Sequence, residues 1–243
     1  MAASMWTDLA NQAGERFAVP PALLLSLIDM ESGGDPNSVN PVSNATGLMQ
    51  VTKIVLKDYN QRHNKNLSLE DIKDPETNIS IGAELLRRIS LTYEKYNKLP
   101  PLWGNRAYVA MIVLGWNAGY SNASGVSYIL SQLQEKNIGK ERWSLDLISQ
   151  AASNLPKASP FLREPRRILW SRKVIDRYMG IEKEEAKKLV AEAKPGLSGG
   201  TKVLLYGGLG AAALGAGYFL LSGKEESEES PGTAPIVINF RAK

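Results

Sequence analysis

Residues 23–36 read LLLSLIDMESGGDP, an apolar run long enough to be the spine of a core helix that ends on a glutamate, a serine and two glycines. Pro20 and Pro21 stand before the run and Gly33 and Gly34 after it, the usual punctuation of a helix. A carboxylate carried into an apolar interior is costly unless it is paired, protonated or used. The segment therefore ties the fold to one acidic side chain, Glu31. Asp29 and Glu31 would lie about 200° apart on a helix, too far round to act as a pair. Glu31 shares the apolar face of Leu27 and Ile28, at the last turn. There the negative end of the helix dipole and the loss of hydration both oppose ionisation. A carboxyl with a raised pKa can give up a proton near neutral pH. On these residues alone, a surface glutamate at a frayed helix end is the other reading.

The rest of residues 1–180 carries helical periodicity and no alternating runs or hairpin turns, so a mostly α domain is expected. TDLANQAGERF has Thr7 as a candidate N-cap. DPETNISIGAELLRRISLTYEKYN opens on Asp74 and Pro75, with Ile81, Leu85, Leu86 and Ile89 at helical spacing. GNRAYVAMIVLGWNAGY is apolar nearly all round and should be buried. WSLDLISQAASNLP and REPRRILWSRKVIDRYMG add two more helices. In the last of these, arginines cluster around Trp170, while Ile168, Leu169, Val174 and Ile175 define a face for packing. A solvated basic helix is expected there, with attraction to anionic wall polymer or lipid as a second use and nucleic acid as an unlikely partner.

Composition removes several chemistries. There is no cysteine, which excludes disulfides, thiolate metal sites and cysteine nucleophiles. His63 is the only histidine and sits in the polar stretch YNQRHNKN, where a solvated loop residue is expected. Carboxylates must carry most of any catalysis, and neither a cofactor nor a metal is expected. The formal charge of +4 suits anionic partners without selecting one.

Three stretches occur in order with helical segments between them: ESGGDPNSVNPVSNATGLMQVT, DPETNISIGAELL and GWNAGY. Together they resemble the lytic transglycosylases with a goose-type lysozyme fold, which cleave peptidoglycan, and the resemblance covers roughly residues 15–125. It implies that Glu31 is the single catalytic acid/base. It also implies that Gly47, Leu48, Met49 and Gln50 line the saccharide groove, and that Asn117 and Ala118 face Glu31 across it. The DPETN helix is expected to be structural. Two positions depart from the family's pattern. Asn40 stands where a serine often contacts the carboxyl region, and its amide can still donate. Trp116 stands where a tyrosine hydroxyl often bonds the catalytic carboxyl; an indole N–H can only donate. Tyr108 or Tyr120 is the candidate for the missing hydroxyl.

The implied reaction cuts between N-acetylmuramic acid and N-acetylglucosamine and closes a 1,6-anhydro ring on the muramoyl residue. A lysozyme-like hydrolase would need a second carboxylate, for which Asp35 is nearest in sequence; a turn-capping role suits it better. A catalytically weak saccharide-binding or structural virion protein is the remaining alternative.

Beyond residue 180 the composition changes. Residues 181–202 begin with strong helix formers and end in PGLSGGT, a helical stalk and hinge. Residues 203–221, VLLYGGLGAAALGAGYFLL, carry no charge in nineteen positions. As a helix they would span about 28 Å, close to the hydrocarbon core of a bilayer. The five glycines would be a poor choice in a water-soluble helix and suit close approach of membrane helices. A single transmembrane helix, with self-association through its small-residue face, is expected. Residues 222–243 are expected to be an acidic, disordered tail. The N-terminus lacks the pattern of a secretory signal. A single-pass protein of a virion's internal membrane or of the host inner membrane fits this architecture, as in membrane-anchored virion transglycosylases of bacteriophages.

Overall fold

The computed structural model describes residues 5–192, with side chains through Glu184. Among them are eight α-helices: α1 (Thr7–Phe17), α2 (Pro21–Ser32), α3 (Lys53–His63), α4 (Pro75–Asn97), α5 (Arg106–Ala118), α6 (Val126–Glu135), α7 (Leu145–Ser153) and α8 (Pro165–Glu192). The described residues form no β-strand. Two isolated bridges, Val39–Thr46 and Thr46–Val51, tie the long α2–α3 connection to itself.

The most apolar helix is the hub. Every residue of α5 from Tyr108 to Gly115 is buried, and α4, α6 and α8 pack around it. Helix α1 lies against α2 and α4, and α2 lies against α8. Gly115 is required at its place because a Cβ there would sit 2.2 Å from the Tyr93 hydroxyl, which donates to the Met111 carbonyl. A separate small core of Val51, Leu56, Tyr59, Ile72 and Ile81 lies under α3.

The polar stretch expected to be a loop at His63 is the end of α3 instead. Arg62 and His63 occupy the last turn, where cationic side chains suit the helix dipole. The His63 Nε2 is 2.8 Å from Glu84, and its ring lies 4.4 Å from Tyr59. Arg62 pairs with both Asp58 and Glu84, and Arg88 pairs with Asp58, so charges stitch α3 to α4. Helix α8 corrects a second expectation. Ile168, Val174 and Ile175 are buried, but Leu169 is 56% exposed and faces away from the core. The basic face is solvated as expected, with Arg166, Arg172 and Arg177 exposed, and three of its arginines also form ion pairs: Arg167 with Glu164, Arg172 with Asp146, and Arg177 with Asp29. The helix has no break at residue 180 and continues to Glu192. No helix among the described residues is long and apolar enough to cross a membrane. The hinge, the uncharged segment 203–221 with its glycine face, and the tail lie outside the described residues.

The α2–α3 connection is organised by one buried amide. Asn78, in the first turns of α4, accepts from the Met49 N–H at 2.8 Å and donates to the carbonyls of Thr46 at 3.0 Å and Ile72 at 2.7 Å. Gly47 meets it with φ +81°, and a Cβ there would fall 2.2 Å from the Asn78 amide nitrogen. The helix expected to be structural is so because this asparagine threads the Gly-Leu-Met-Gln turn. Replacing Asn78 by alanine leaves the Met49 N–H and the Ile72 carbonyl without this partner, while the Thr46 carbonyl keeps the Val51 N–H, and should cost about 3 kcal/mol. Gly47→Ala adds backbone strain to a clash and should cost as much or more. Urea unfolding measures both, and losses under about 1 kcal/mol would contradict this account of the turn.

Candidate active site

Helix α2 delivers Glu31 on its last turn, and the chain after it fixes that turn in place. Gly33 takes the left-handed conformation at φ +65° and donates to the Asp29 carbonyl. The Ser32 hydroxyl donates to the Ile28 carbonyl at 3.0 Å and accepts from the Gly34 N–H at 3.1 Å. The Trp6 indole donates to the Gly34 carbonyl at 3.1 Å, pinning the turn to the chain ahead of α1. These contacts explain the Glu-Ser-Gly-Gly order: the serine closes the helix end, and the glycine reverses the chain beside the acid. The helix end is not frayed.

The carboxyl meets α5. The Trp116 Nε1–H donates to the Glu31 Oε1 at 2.7 Å, joining residues 85 apart in sequence. Glu31 keeps part of its surface open to solvent, while protein fills most of the volume around its carboxyl. Burial raises its pKa from an ordinary 4.5 to about 7, against the smaller, opposing effect of the Trp116 hydrogen bond. Burial therefore outweighs the bond. Near neutral pH about half the population carries a proton ready for transfer.

The other acids nearby in sequence have their own work. Asp29 points the other way and pairs with Arg177 at 3.1 Å. Asp35 is exposed and accepts from the Asn37 N–H at 2.9 Å, capping its own turn. Among the described residues no three His, Asp or Glu side chains cluster closely enough to hold a metal.

The remaining expected site residues divide. Trp116 itself supplies a donor to one oxygen of the carboxyl, the part sought from the hydroxyl of Tyr108 or Tyr120. Tyr108 is buried and donates to the Ser90 hydroxyl at 2.8 Å. Asn40 is exposed, and its side-chain oxygen accepts from the N–H groups of Val42 and Ser43, so it shapes its own turn. Gly47 is buried, and Leu48 and Met49 have 0% exposure. These three are withdrawn from the surface, because Asn78 draws their turn inward. Gln50 is half-buried, and its amide donates to the carbonyls of Ser38 and Gly47. Ala118 is buried. Asn117 is clasped by Arg167, whose guanidinium donates to its carbonyl and, at 2.8 Å, to its side-chain oxygen. A depression of about 490 Å³ on α3, lined by Lys53, Lys57, Asn60 and Lys65 among others, includes none of these residues.

Residues 8–135 match the family model of the Transglycosylase SLT domain, more than half the chain and including both Glu31 and Trp116. The chain belongs to the Transglycosylase SLT family. A lysozyme-like, mostly helical fold and lytic transglycosylase activity on peptidoglycan go with that membership. Helices α7 and α8 lie beyond the matched residues.

Arg167 was not anticipated from sequence. It lies in the arginine cluster expected to be solvated, and no local pattern marks a bond that spans fifty residues.

The raised pKa of Glu31 makes a stability prediction of definite sign. Between pH 4.5 and about 7 the folded protein holds a proton that the unfolded chain has lost. Stability contributed by this group is therefore highest below pH 4.5 and falls as pH rises through 7. The penalty above that pH is on the order of 3 kcal/mol. Glu31→Gln should then melt higher than wild type at pH 8, with the difference closing by pH 4. Melting curves that differ equally at both pH values would contradict the desolvated acid.

Proposed function

We propose that Glu31 is the sole acid/base of a peptidoglycan lytic transglycosylase that yields 1,6-anhydro-N-acetylmuramic acid ends. Protonated Glu31 gives its proton to the oxygen between N-acetylmuramic acid and N-acetylglucosamine as that bond breaks. The substrate's 2-acetamido oxygen attacks the anomeric carbon and holds the muramoyl residue. The Glu31 carboxylate then takes the proton from the muramoyl C6 hydroxyl, whose oxygen displaces the acetamido group and closes the anhydro ring. Glu31 ends protonated, and no water is consumed. A group that must act first as acid and then as base works best with a pKa near the working pH.

The observation that carries this reading is the carboxyl with its pKa near 7, held by one indole donor while Asp29 and Asp35 are engaged elsewhere. Hydrolysis through two carboxylates would call for a second acid about 5–10 Å away with its oxygens free. The departure at Trp116 does not favour a binding-only protein, since the indole reaches the carboxyl. Gln50 is the half-buried member of its turn and is proposed to contact the glycan.

We further propose that residues 203–221 anchor the enzyme in a bilayer and associate through their glycine face. The absence of charge in nineteen positions and the spacing of small residues support this. With a catalytic domain ahead of one membrane span, the arrangement suits a phage-borne enzyme that opens the host wall from a virion membrane. Removing residues 203–221 should release the protein from membranes; continued sedimentation with lipid would contradict the anchor.

Digestion of purified wall sacculi by the full chain should release anhydro-muropeptides, and Glu31→Gln should lower the rate at least a thousandfold while the protein stays folded. The kcat/KM should fall about tenfold per pH unit above pH 7 as the acid form is lost. Reducing-end products would mean hydrolysis, and undiminished release by the Gln variant would remove Glu31 from the reaction.

A further inference from the structure

Helix α8, which lies outside the matched family residues, touches both helices of the site with charged side chains. At its first turn Arg167 donates to the Asn117 carbonyl and, at 2.8 Å, to the Asn117 side-chain oxygen. In return the Asn117 amide donates to the Arg167 carbonyl at 3.2 Å. The guanidinium is itself held: its Nε donates to Glu164 at 3.0 Å, and its Cζ lies 4.5 Å from the Phe161 ring centroid. Asn117 directly follows Trp116. Ten residues along the same helix, Arg177 pairs with Asp29 at 3.1 Å, two residues before Glu31. About 15 Å of one continuous helix therefore separates a latch on the end of α5 from a latch on the end of α2. Between the two, Ser171, Val174 and Ile175 are buried against the body, which fixes the helix axis.

We propose that α8 is a brace for the acid, and that Arg167, through its clasp on Asn117, is a positioning residue that aims the Trp116 indole at the Glu31 carboxyl. The proposal deepens the reading of Glu31 as the acid, but its test reads the carboxyl directly. A 2.7 Å bond between a planar N–H and one carboxyl oxygen tolerates little drift of either backbone. Arginine suits this task because separate nitrogens of one rigid plane hold Glu164 and Asn117 at once, Nε on the carboxylate and a terminal nitrogen on the asparagine; a lysine has a single, swivelling nitrogen. The Arg177–Asp29 pair holds the other partner. It is half-exposed, so it acts chiefly as a geometric stop.

The experiment is a titration of the Glu31 side-chain carbon by NMR in the full chain, with Glu31→Gln providing the assignment. Trp116→Phe should raise the midpoint, because the indole bond is what opposes burial. Arg167→Ala should raise it in the same direction by roughly one pH unit, and the double variant should go no higher than Trp116→Phe alone. Arg167→Lys keeps the charge and should recover only part of the shift. Asn117→Ala, which removes the two side-chain bonds of the clasp without altering any charge and leaves the bond to the backbone carbonyl, should move the midpoint upward by a smaller amount, and it supplies the test should Arg167→Ala not fold. In wall digestion kcat should fall about tenfold or more with KM little changed. Midpoints at the wild-type value in Arg167→Ala and Asn117→Ala would overturn the brace, even with activity lost. Full recovery by Arg167→Lys would overturn positioning in favour of simple charge. If Glu31→Gln stays active, the assignment of the acid fails while the titration still decides the brace.

Discussion

The bond between the Trp116 indole and the Glu31 carboxyl joins the ends of two helices that share little else. It needs a carboxyl drawn out of water, a helix end that does not fray and an indole presented edge-on, and each condition is met by a separate part of the chain. Burial on the face of Leu27 and Ile28 raises the affinity of Glu31 for its proton. The indole bond pulls the other way and is outweighed. The outcome is an acid that can both give and accept a proton near neutrality, which follows from burial exceeding one neutral donor and not from any neighbouring charge. A tyrosine hydroxyl could donate as well as accept; the indole can only donate, so it favours the ionised form that must take a proton back.

Around this bond the structure spends its buried polar groups on holding backbone. Asn78 binds one N–H and one carbonyl of the turn that carries Gly47 to Gln50, and ties them to the Ile72 carbonyl ahead of α4. Ser32 closes the helix end beside the acid, and Tyr93 binds the backbone of α5 under Gly115. Residues expected at a groove surface are thus largely buried. The glycine is there for the amide of Asn78, and Leu48 and Met49 fill the core. Of that turn, Gln50 alone keeps some exposure.

Much of this was legible in the chain. The run from Leu23 to Glu31 with its flanking prolines and glycines marked α2, and the uniformly apolar stretch around Met111 marked the hub. Opposite facings of Asp29 and Glu31 followed from helical geometry, and their separate partners bear it out. Less was legible where stability comes from charge and capping. Helix α3 buries only Leu56 and Tyr59, so its periodicity is faint, and its ion pairs reach residues some twenty to thirty positions away. Helix α6 is short, yet Val126, Ile129, Leu130 and Leu133 recur at helical spacing and bury its inner face. The Arg167 clasp could not have been read, since an arginine committed to a distant carbonyl looks the same in sequence as one in solvent.

The central claim is that Glu31 is a desolvated acid, neutral below about pH 7 and bonded to an indole. Infrared difference spectroscopy of the protein against its Glu31→Gln variant tests it most directly, since a neutral carboxyl has a carbonyl stretch that a carboxylate lacks. The account predicts that stretch at pH 6, disappearing by pH 8.5. Its absence at pH 6 would show an ordinary ionised carboxylate and contradict the account.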